Sequence, residues 1–326
     1  MASATEEGVR LKKQHLMKLS RLDSKPSRFI NWLAIFSRGF QSSKKPRRLI
    51  LLERFIQTNT LPLNLDTPHS DSSPALEILF VCTAKDFETL PEAIEYAVKA
   101  TSAHQLLRVS LVIPATDFDR AQMIKVDQKI PLKILKEEDF LTVDLIQLLR
   151  SVFKVRAGWV IQQLLKVEFV SYSTSPAVLV CDADTLLLKR RFWFDTSEKQ
   201  ILTPSWEWKQ SYYIFLSQFG LTSLDPEFTF VSHHMLMQPK FLREAREFMG
   251  WETTSKIVED LTSFYDGFEV SPFCIEYELY AQYLYKKYPH KVQLSKWANL
   301  GVKRFDFFQN RSKFDGYASV SLHDYL

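Results

Sequence analysis

From residue 75 onward, short apolar runs alternate with stretches in which apolar residues recur every three or four positions. Residues 76–82 (Leu-Glu-Ile-Leu-Phe-Val-Cys) form a run short enough for a buried strand. Residues 90–100 carry helical spacing, with Pro91 suited to a first helical turn. Residues 107–113 predict the next strand, stopped by Pro114. Helices are expected at 144–153 and 156–169, and residues 177–181 read as another buried strand. Strands alternating with helices imply an α/β fold with a largely parallel sheet. Beyond residue 185 the regularity falls. The pattern there predicts a helix over 207–219, a strand over 227–232, helices near 239–249, 252–264 and 273–288, and short closing strands. No internal repeat is visible.

Residues 1–74 read as a separate helical appendage and linker, and 75–326 as the main domain. Phe29, Trp32, Leu33, Phe36 and Phe40 share one helical face. Arg28, Arg38, Lys44, Lys45, Arg47 and Arg48 flank it. Two readings stand: a helix lying on an anionic membrane surface through residues 28–48, or one packed on the main domain. Residues 61–74 carry three prolines and a Ser/Asp cluster, the composition of a linker.

Charge sharpens this division. The net +4 of the chain conceals twelve Lys/Arg against three Asp/Glu in residues 1–50, a local +9 that leaves the remainder at −5. No nucleic-acid partner is expected. With 46% hydrophobic residues the 326-residue chain can bury a large core unaided. The eight glycines form neither G-x-G-x-x-G nor G-x-x-x-x-G-K, which disfavours Rossmann dinucleotide and P-loop chemistry. Cys82, Cys181 and Cys274 lack zinc-ligand spacing and predict buried thiols. No apolar run reaches the roughly 18 residues of a membrane span. The first residues lack the charged and apolar regions of a signal peptide. The expectation is a cytoplasmic protein, peripheral at the inner face of a membrane if residues 28–48 bind there.

The densest candidate chemistry follows the strand at 177–181. Asp182 and Asp184 come directly after it, and the carboxyl ends of parallel strands are where α/β proteins bind ligands. Two carboxylates two residues apart can share a hard divalent cation, Mn2+ or Mg2+, which also accepts diphosphate oxygens. The alternative is a turn, where aspartates are common. Phosphatases of the haloacid dehalogenase type want Thr or Val four residues after the first Asp. Leu186 holds that position, and Thr185 comes one residue too early.

Trp159, Gln162, Gln163 and Lys166 share one face of the preceding helix, while Val160, Ile161, Leu164 and Leu165 lie on others. Stacking, amide and ammonium groups suit a sugar and phosphate site. An ordinary polar outer face would look the same. W-x-x-Q-Q-x-x-K (159–166), V-x-D-A-D-T (180–185), F-V-x-H-H-M (230–235) and E-Y-E-x-Y (276–280) follow in order. Together they resemble the pattern of a bacterial glycosyltransferase-like family similar to GT-A enzymes, over roughly residues 75–300.

That resemblance implies a GT-A-like fold, with a Rossmann-like, mainly parallel sheet flanked by helices. It implies a metal-dependent transfer of sugar from a UDP- or GDP-sugar to a carbohydrate or lipid-linked acceptor. Asp182 and Asp184 would hold the metal, with His323 as a late imidazole ligand. Thr83 and Asp86, after the first strand, become candidates to hold the nucleotide. His234 or His233 becomes a candidate for acceptor or phosphate contact. Adjacent strand residues point to opposite faces, so at most one of the two histidines faces a common site. Ser271-Pro272 reads as a helix start, placing Glu276 and Glu278 early in that helix. Acids there suit the helix dipole, and Glu276 equally suits a general base for an acceptor hydroxyl. Tyr277, Tyr280 and Tyr283 fit either an acceptor groove or an aromatic core. The alternatives to transfer are a metal-dependent nucleotidyltransferase and an inactive GT-A-fold binding module. The former wants a glycine-rich basic loop after the first strand, where this chain has Thr-Ala-Lys-Asp.

Overall fold

The computed structural model describes residues 74–127, 129–205, 211–221, 229–265, 274–295 and 299–323. The expected N-terminal helix, its membrane contact at 28–48, most of the linker and the Ser271-Pro272 helix start lie outside these residues.

The architecture is mixed α/β around a five-stranded sheet. Its strands are β1 (Leu76–Val81), β2 (Leu106–Ile113), β3 (Leu132–Lys136), β4 (Ala177–Cys181) and β7 (His234–Met237), in the order β3-β2-β1-β4-β7. The first four run parallel and β7 pairs antiparallel with β4. Helices α1 (Leu90–Ala100), α2 (Phe118–Gln122), α3 (Val143–Phe153) and α4 (Ala157–Tyr172) fill the connections. The expected strands and helices between 76 and 181 are all present, to within a few residues at their ends.

The continuous apolar runs of β1 and β4 arise because both sheet faces are covered. Ile78 and Phe80 pack on the side of α1, and Leu79 and Val81 on the side of α3 and α4. β3 has no counterpart in the sequence reading. It is an edge strand, at most half-buried, whose lysines discourage pairing with another chain.

Past β4 the chain builds β5 (Thr185–Leu187), β6 (Gln200–Leu202) and α5 (Ser211–Ser217). After β7 come α6 (Pro239–Met249), α7 (Thr254–Phe264), α8 (Tyr277–Lys287), β8 (Val292–Leu294), β9 (Asn299–Val302), α9 (Arg304–Gln309) and β10 (Ser319–Leu322). A second sheet orders β5-β10-β9, and β6 pairs with β8. The strand expected to enter a turn at the histidine pair is reversed in order: the chain turns at His233 and the strand begins at His234. No helix among the described residues is long and apolar enough to cross a membrane.

Helix α6 opens on Pro239 and ends at Gly250, whose φ of +71° only glycine adopts cheaply. No atom lies within 4 Å of where a Cβ would sit, so the cost of a side chain is purely conformational. Gly250→Ala is expected to destabilise the protein by about 1 kcal/mol, read from the urea midpoint at unchanged slope. An unchanged midpoint would mean that another cap forms.

Candidate active site

Strand β4 is buried throughout and ends at Cys181, so Asp182 emerges at its carboxyl end. The chain places β2 and β3 on one side of β1 and β4 on the other. The carboxyl ends of β1 and β4 therefore flank the point where the winding reverses, where open α/β sheets bind ligands. A turn closed by the Thr185 N–H on the Asp182 carbonyl (3.1 Å) then sends the chain into β5.

The two aspartates have different surroundings. Asp182 Oδ1 accepts from Lys166 Nζ at 2.6 Å and from the Tyr277 hydroxyl at 3.0 Å. Its Oδ2 lies 3.1 Å from His233 Nδ1, and its N–H donates to the His233 carbonyl at 2.9 Å. His233 has φ +60°, a strained setting that lets one residue grip Asp182 through both backbone and ring. Asp184 faces outward, with its side chain 36% exposed and Oδ2 at 3.5 Å from His323 Nδ1. Strand β10 delivers that imidazole: Ser321 pairs with Thr185, the Leu322 N–H donates to the Asp184 carbonyl (2.7 Å), and the His323 N–H to Val302 (2.8 Å). The His233 and His323 rings are 5.8 Å apart between centroids.

Lys166 lies on the inner side of α4, its side chain 2% exposed. Nζ also sits 3.4 Å from Glu276 Oε1 and 4.8 Å from the centre of the Tyr277 ring. Burial alone would lower its pKa, yet Asp182 and then Glu276 raise it above the usual lysine range. Burial likewise pushes the Asp182 carboxyl up, and Lys166, followed by His233, more than reverses this and holds it well below the usual range. For Glu276 burial prevails over Lys166, and its pKa is raised.

The face of α4 singled out in the sequence is thus turned inward. Gln162 donates to the Val81 carbonyl (3.0 Å), tying α4 to the end of β1. Gln163 is buried and accepts from the Ile275 N–H (2.7 Å). Trp159 is half-buried against the core. Helix α4 is central and covered nearly all round, so no polar outer face exists there. The loop after β1 reaches the mouth of the site. The Thr83 N–H donates to Asp86 Oδ2 (3.1 Å), and the Ala84 N–H to Asp117 Oδ2 (2.8 Å). Burial, and then the charge of Asp184, raise the pKa of Asp86. The role of Asp117 in fixing this loop had no signal in the sequence beyond its place after Pro114.

The histidines divide, though not by strand alternation, since His233 sits in the turn at φ +60° and only His234 belongs to β7. His233 meets Asp182, whereas His234 points into the interior, 3.0 Å from an Arg191 nitrogen and 2.8 Å from the Ser232 carbonyl. Burial and the Arg191 charge lower its pKa well below the ordinary imidazole value. Glu276 stands at the cap of α8 instead of inside the helix, buried, with Cys274 Sγ at 3.4 Å from its second oxygen. Its carboxylate faces Lys166 and not an open groove. Tyr277, Tyr280 and Tyr283 are buried, and only the Tyr277 hydroxyl reaches the acidic pair.

No protein-family model matches the chain, and no curated protein sequence does. Among solved structures, the chain is similar to the apo crystal structure of mouse xyloside xylosyltransferase 1. The TM-score is 0.43 and the identity 11%, covering 76% of this chain and 97% of that one.

Among the described residues no group of three or more His, Cys, Asp or Glu is arranged to hold a metal ion by itself. Asp184 and His323 form a two-donor pair. Mg2+ and related ions commonly use one or two carboxylates and complete their shell with water and substrate phosphates. A carboxylate beside an imidazole therefore fits a divalent ion shared with a diphosphate, and Mn2+ better than Mg2+.

Behind the site, Glu278 is fully buried and accepts from the Phe230 N–H (2.6 Å), the Tyr213 hydroxyl (3.1 Å) and Gln282 Nε2 (3.0 Å). Burial pushes its carboxyl up to about 7 despite these donors, from an ordinary 4.5. The folded state then holds a proton that the unfolded chain gives up, so stability falls as pH rises from about 4.5 to 7. Glu278→Gln is expected to remove that slope. Relative to the parent it should gain roughly 3 kcal/mol across the window, read from melting curves at pH 5 and 8. Parallel pH profiles would contradict the raised value.

Proposed function

We propose that the protein is a GT-A-type glycosyltransferase that moves a sugar from a nucleotide-diphosphate donor to an acceptor hydroxyl with the help of Mn2+ or Mg2+. One observation carries the reading. A buried strand delivers Asp-x-Asp to the switch point of the sheet, and residues far along the chain bring His323 to 3.5 Å from Asp184. The ordered motifs from Trp159 to Tyr280 support it.

Asp184 and His323 are the groups that would hold the ion, with Asp182 behind them. A bound divalent cation supplies charge neutralisation to a departing nucleotide diphosphate. Thr83 and Asp86, at the end of β1, stand where the nucleotide would lie. In the transfer, the bond from the anomeric carbon to the diphosphate oxygen breaks with its electron pair leaving on the diphosphate, a bond to the acceptor oxygen forms, and the acceptor proton passes to the released diphosphate or to water. His233, 18% exposed beside Asp182, is the imidazole on the site side. Glu276 serves from inside as a partner of Lys166. The acceptor is a carbohydrate or a lipid-linked hydroxyl.

A thermal-shift screen of UDP, GDP and related diphosphates with and without Mn2+ tests this. A ligand that binds only the folded state raises its melting temperature by mass action. A metal-dependent shift that vanishes in Asp184→Ala supports the reading. No shift with any nucleoside diphosphate, at millimolar ligand and Mn2+, sinks it. Sugar nucleotide cleavage in the presence of Mn2+ separates an active enzyme from a binding module.

A further inference from the structure

We infer that α6 and the residues just past α8 form a docking face for an anionic phospholipid bilayer, at the end of the sheet away from the acidic pair. The inference stands apart from the function proposed above and uses none of its residues.

The face is a ladder of aromatic rings capped by lysines. Along the seam between the two helices, the ring centres of Phe241 and Tyr288 lie 5.0 Å apart, those of Tyr288 and Tyr283 6.4 Å, and those of Tyr283 and Phe248 5.6 Å. Lys240 Nζ sits 4.9 Å from the centre of Phe241, and Lys291 Nζ 5.6 Å from the same ring and 5.5 Å from Tyr288. Lys287 Nζ sits 4.9 Å from Phe248. A ring steadies an ammonium without neutralising it. These three lysines are exposed and form no ion pair with a described carboxylate, unlike Lys99 and Lys256. Lys240 and Lys291 share one ring, so their like charges repel until an anion lies between them. Around them, Lys240, Arg243, Lys286, Lys287 and Lys291 are exposed cations, with His290 beside Tyr288, against Glu244 and Glu247. The Glu244 carboxylate already accepts from the Tyr288 hydroxyl at 2.6 Å, and Lys286 donates to the Gly220 carbonyl at 2.6 Å. This local excess of positive charge stands out in residues 51–326, which sum to −5.

The rings decide what kind of anion fits. Phe241 is 4% exposed and its faces carry ammonium groups, so neither a sugar nor a nucleobase can stack there. What remains is fixed positive charge beside one apolar edge, Phe248, which is 38% exposed. A sheet of lipid phosphates over hydrocarbon offers the complement to both. The place of the face is set by β7. Met237 pairs with Val178 near the amino end of β4, and α6 begins two residues later, whereas Asp182 leaves the carboxyl end. A bilayer at Lys240 and Lys291 therefore leaves the mouth of the acidic pair facing away from it.

Cosedimentation of the full chain with phosphatidylcholine vesicles, with and without phosphatidylserine, tests this. Each lysine near an anionic surface contributes about five- to sixfold in affinity. Lys287→Gln with Lys291→Gln should thus weaken binding to the anionic vesicles about thirtyfold, and Lys240→Gln alone about fivefold. Lys125→Gln with Lys154→Gln removes the same charge from exposed positions outside the face and should change binding by less than about twofold. Should the first pair fail to fold by circular dichroism, Lys240→Gln carries the comparison. Equal losses in the two pairs would mean that net charge alone attracts the protein, and would overturn the inference. Undiminished binding in the first pair would place the contact elsewhere in the chain, and tighter binding to soluble polygalacturonate than to vesicles would replace the bilayer by a soluble polyanion. Either result overturns it, as does equal binding to vesicles without phosphatidylserine. Sugar-nucleotide cleavage measured without vesicles reports on the proposed function separately.

Discussion

Asp184→Ala should lower the rate of sugar transfer by about 10²–10³-fold while leaving the ligand-free melting temperature within a degree or two. On the proposed function, the rate effect follows from losing a ligand of the ion that would stabilise the leaving diphosphate, worth about 3–4 kcal/mol of barrier. The small stability effect follows from where the side chain sits. It is one-third exposed and makes no ion pair with Lys or Arg among the described residues, and its charge adds to the burial that raises the pKa of Asp86. Removing it therefore relieves a like-charge repulsion. The measurement is transfer or sugar-nucleotide hydrolysis at saturating Mn2+, beside a thermal melt. A rate within threefold of the parent would move the ion elsewhere.

The single change Lys166→Met should produce the opposite profile, with a large loss of stability. Removing one member of a buried pair strands the other charge, at a cost of about 3–5 kcal/mol. At roughly 2–4 °C per kcal/mol for a domain of this size, the melting temperature should fall by about 10 °C. The pH dependence identifies the cause. Asp182 is held below its ordinary value of 3.8, so it contributes stability above that pH, and this is lost as pH falls through the lowered folded value. Without Lys166 the carboxyl loses its chief lowering charge. The gap between parent and variant should thus be widest near neutrality, narrow below about pH 4 and close only as the pH falls through the lowered folded value. A gap constant with pH would mean that Lys166 acts by packing alone.

How much of this was legible in the sequence can be judged element by element. Strands β1, β2 and β4 announce themselves because burial on both faces turns each into an apolar run. Helices α1, α3 and α6 carry proline or capping signals at their starts, and Thr142 of α3 accepts from the Leu145 N–H. Strand β3 is hidden because its five residues, Leu-Lys-Ile-Leu-Lys, form neither a continuous apolar run nor a strict alternation. Strand β7 was misplaced because Phe230 and Val231 resemble a strand, whereas the chain is turned at His233 to lie antiparallel to β4.

Of the candidate site, the acidic pair could be read from its position after β4. The inward turn of Lys166 and Gln163 could not. A lysine between apolar residues of a helix ordinarily points to water. Burying it becomes tolerable only where carboxylates from distant segments converge, and here they come from positions 182 and 276. His234 and Glu276 were legible as unusual residues, but not as interior ones, since their partners Arg191 and Lys166 are set by tertiary packing.

The pairing of β10 with β5 carries a consequence for biosynthesis. About 140 residues separate Asp184 from His323, and a ribosome needs on the order of ten seconds to add that many. Through most of that interval, once β7 has been added, the nascent chain holds its acidic pair and its five principal strands but lacks the imidazole. The surroundings of Asp184 are therefore completed only when β10 has paired with β5, so the late imidazole cannot reach that aspartate before the strand is made.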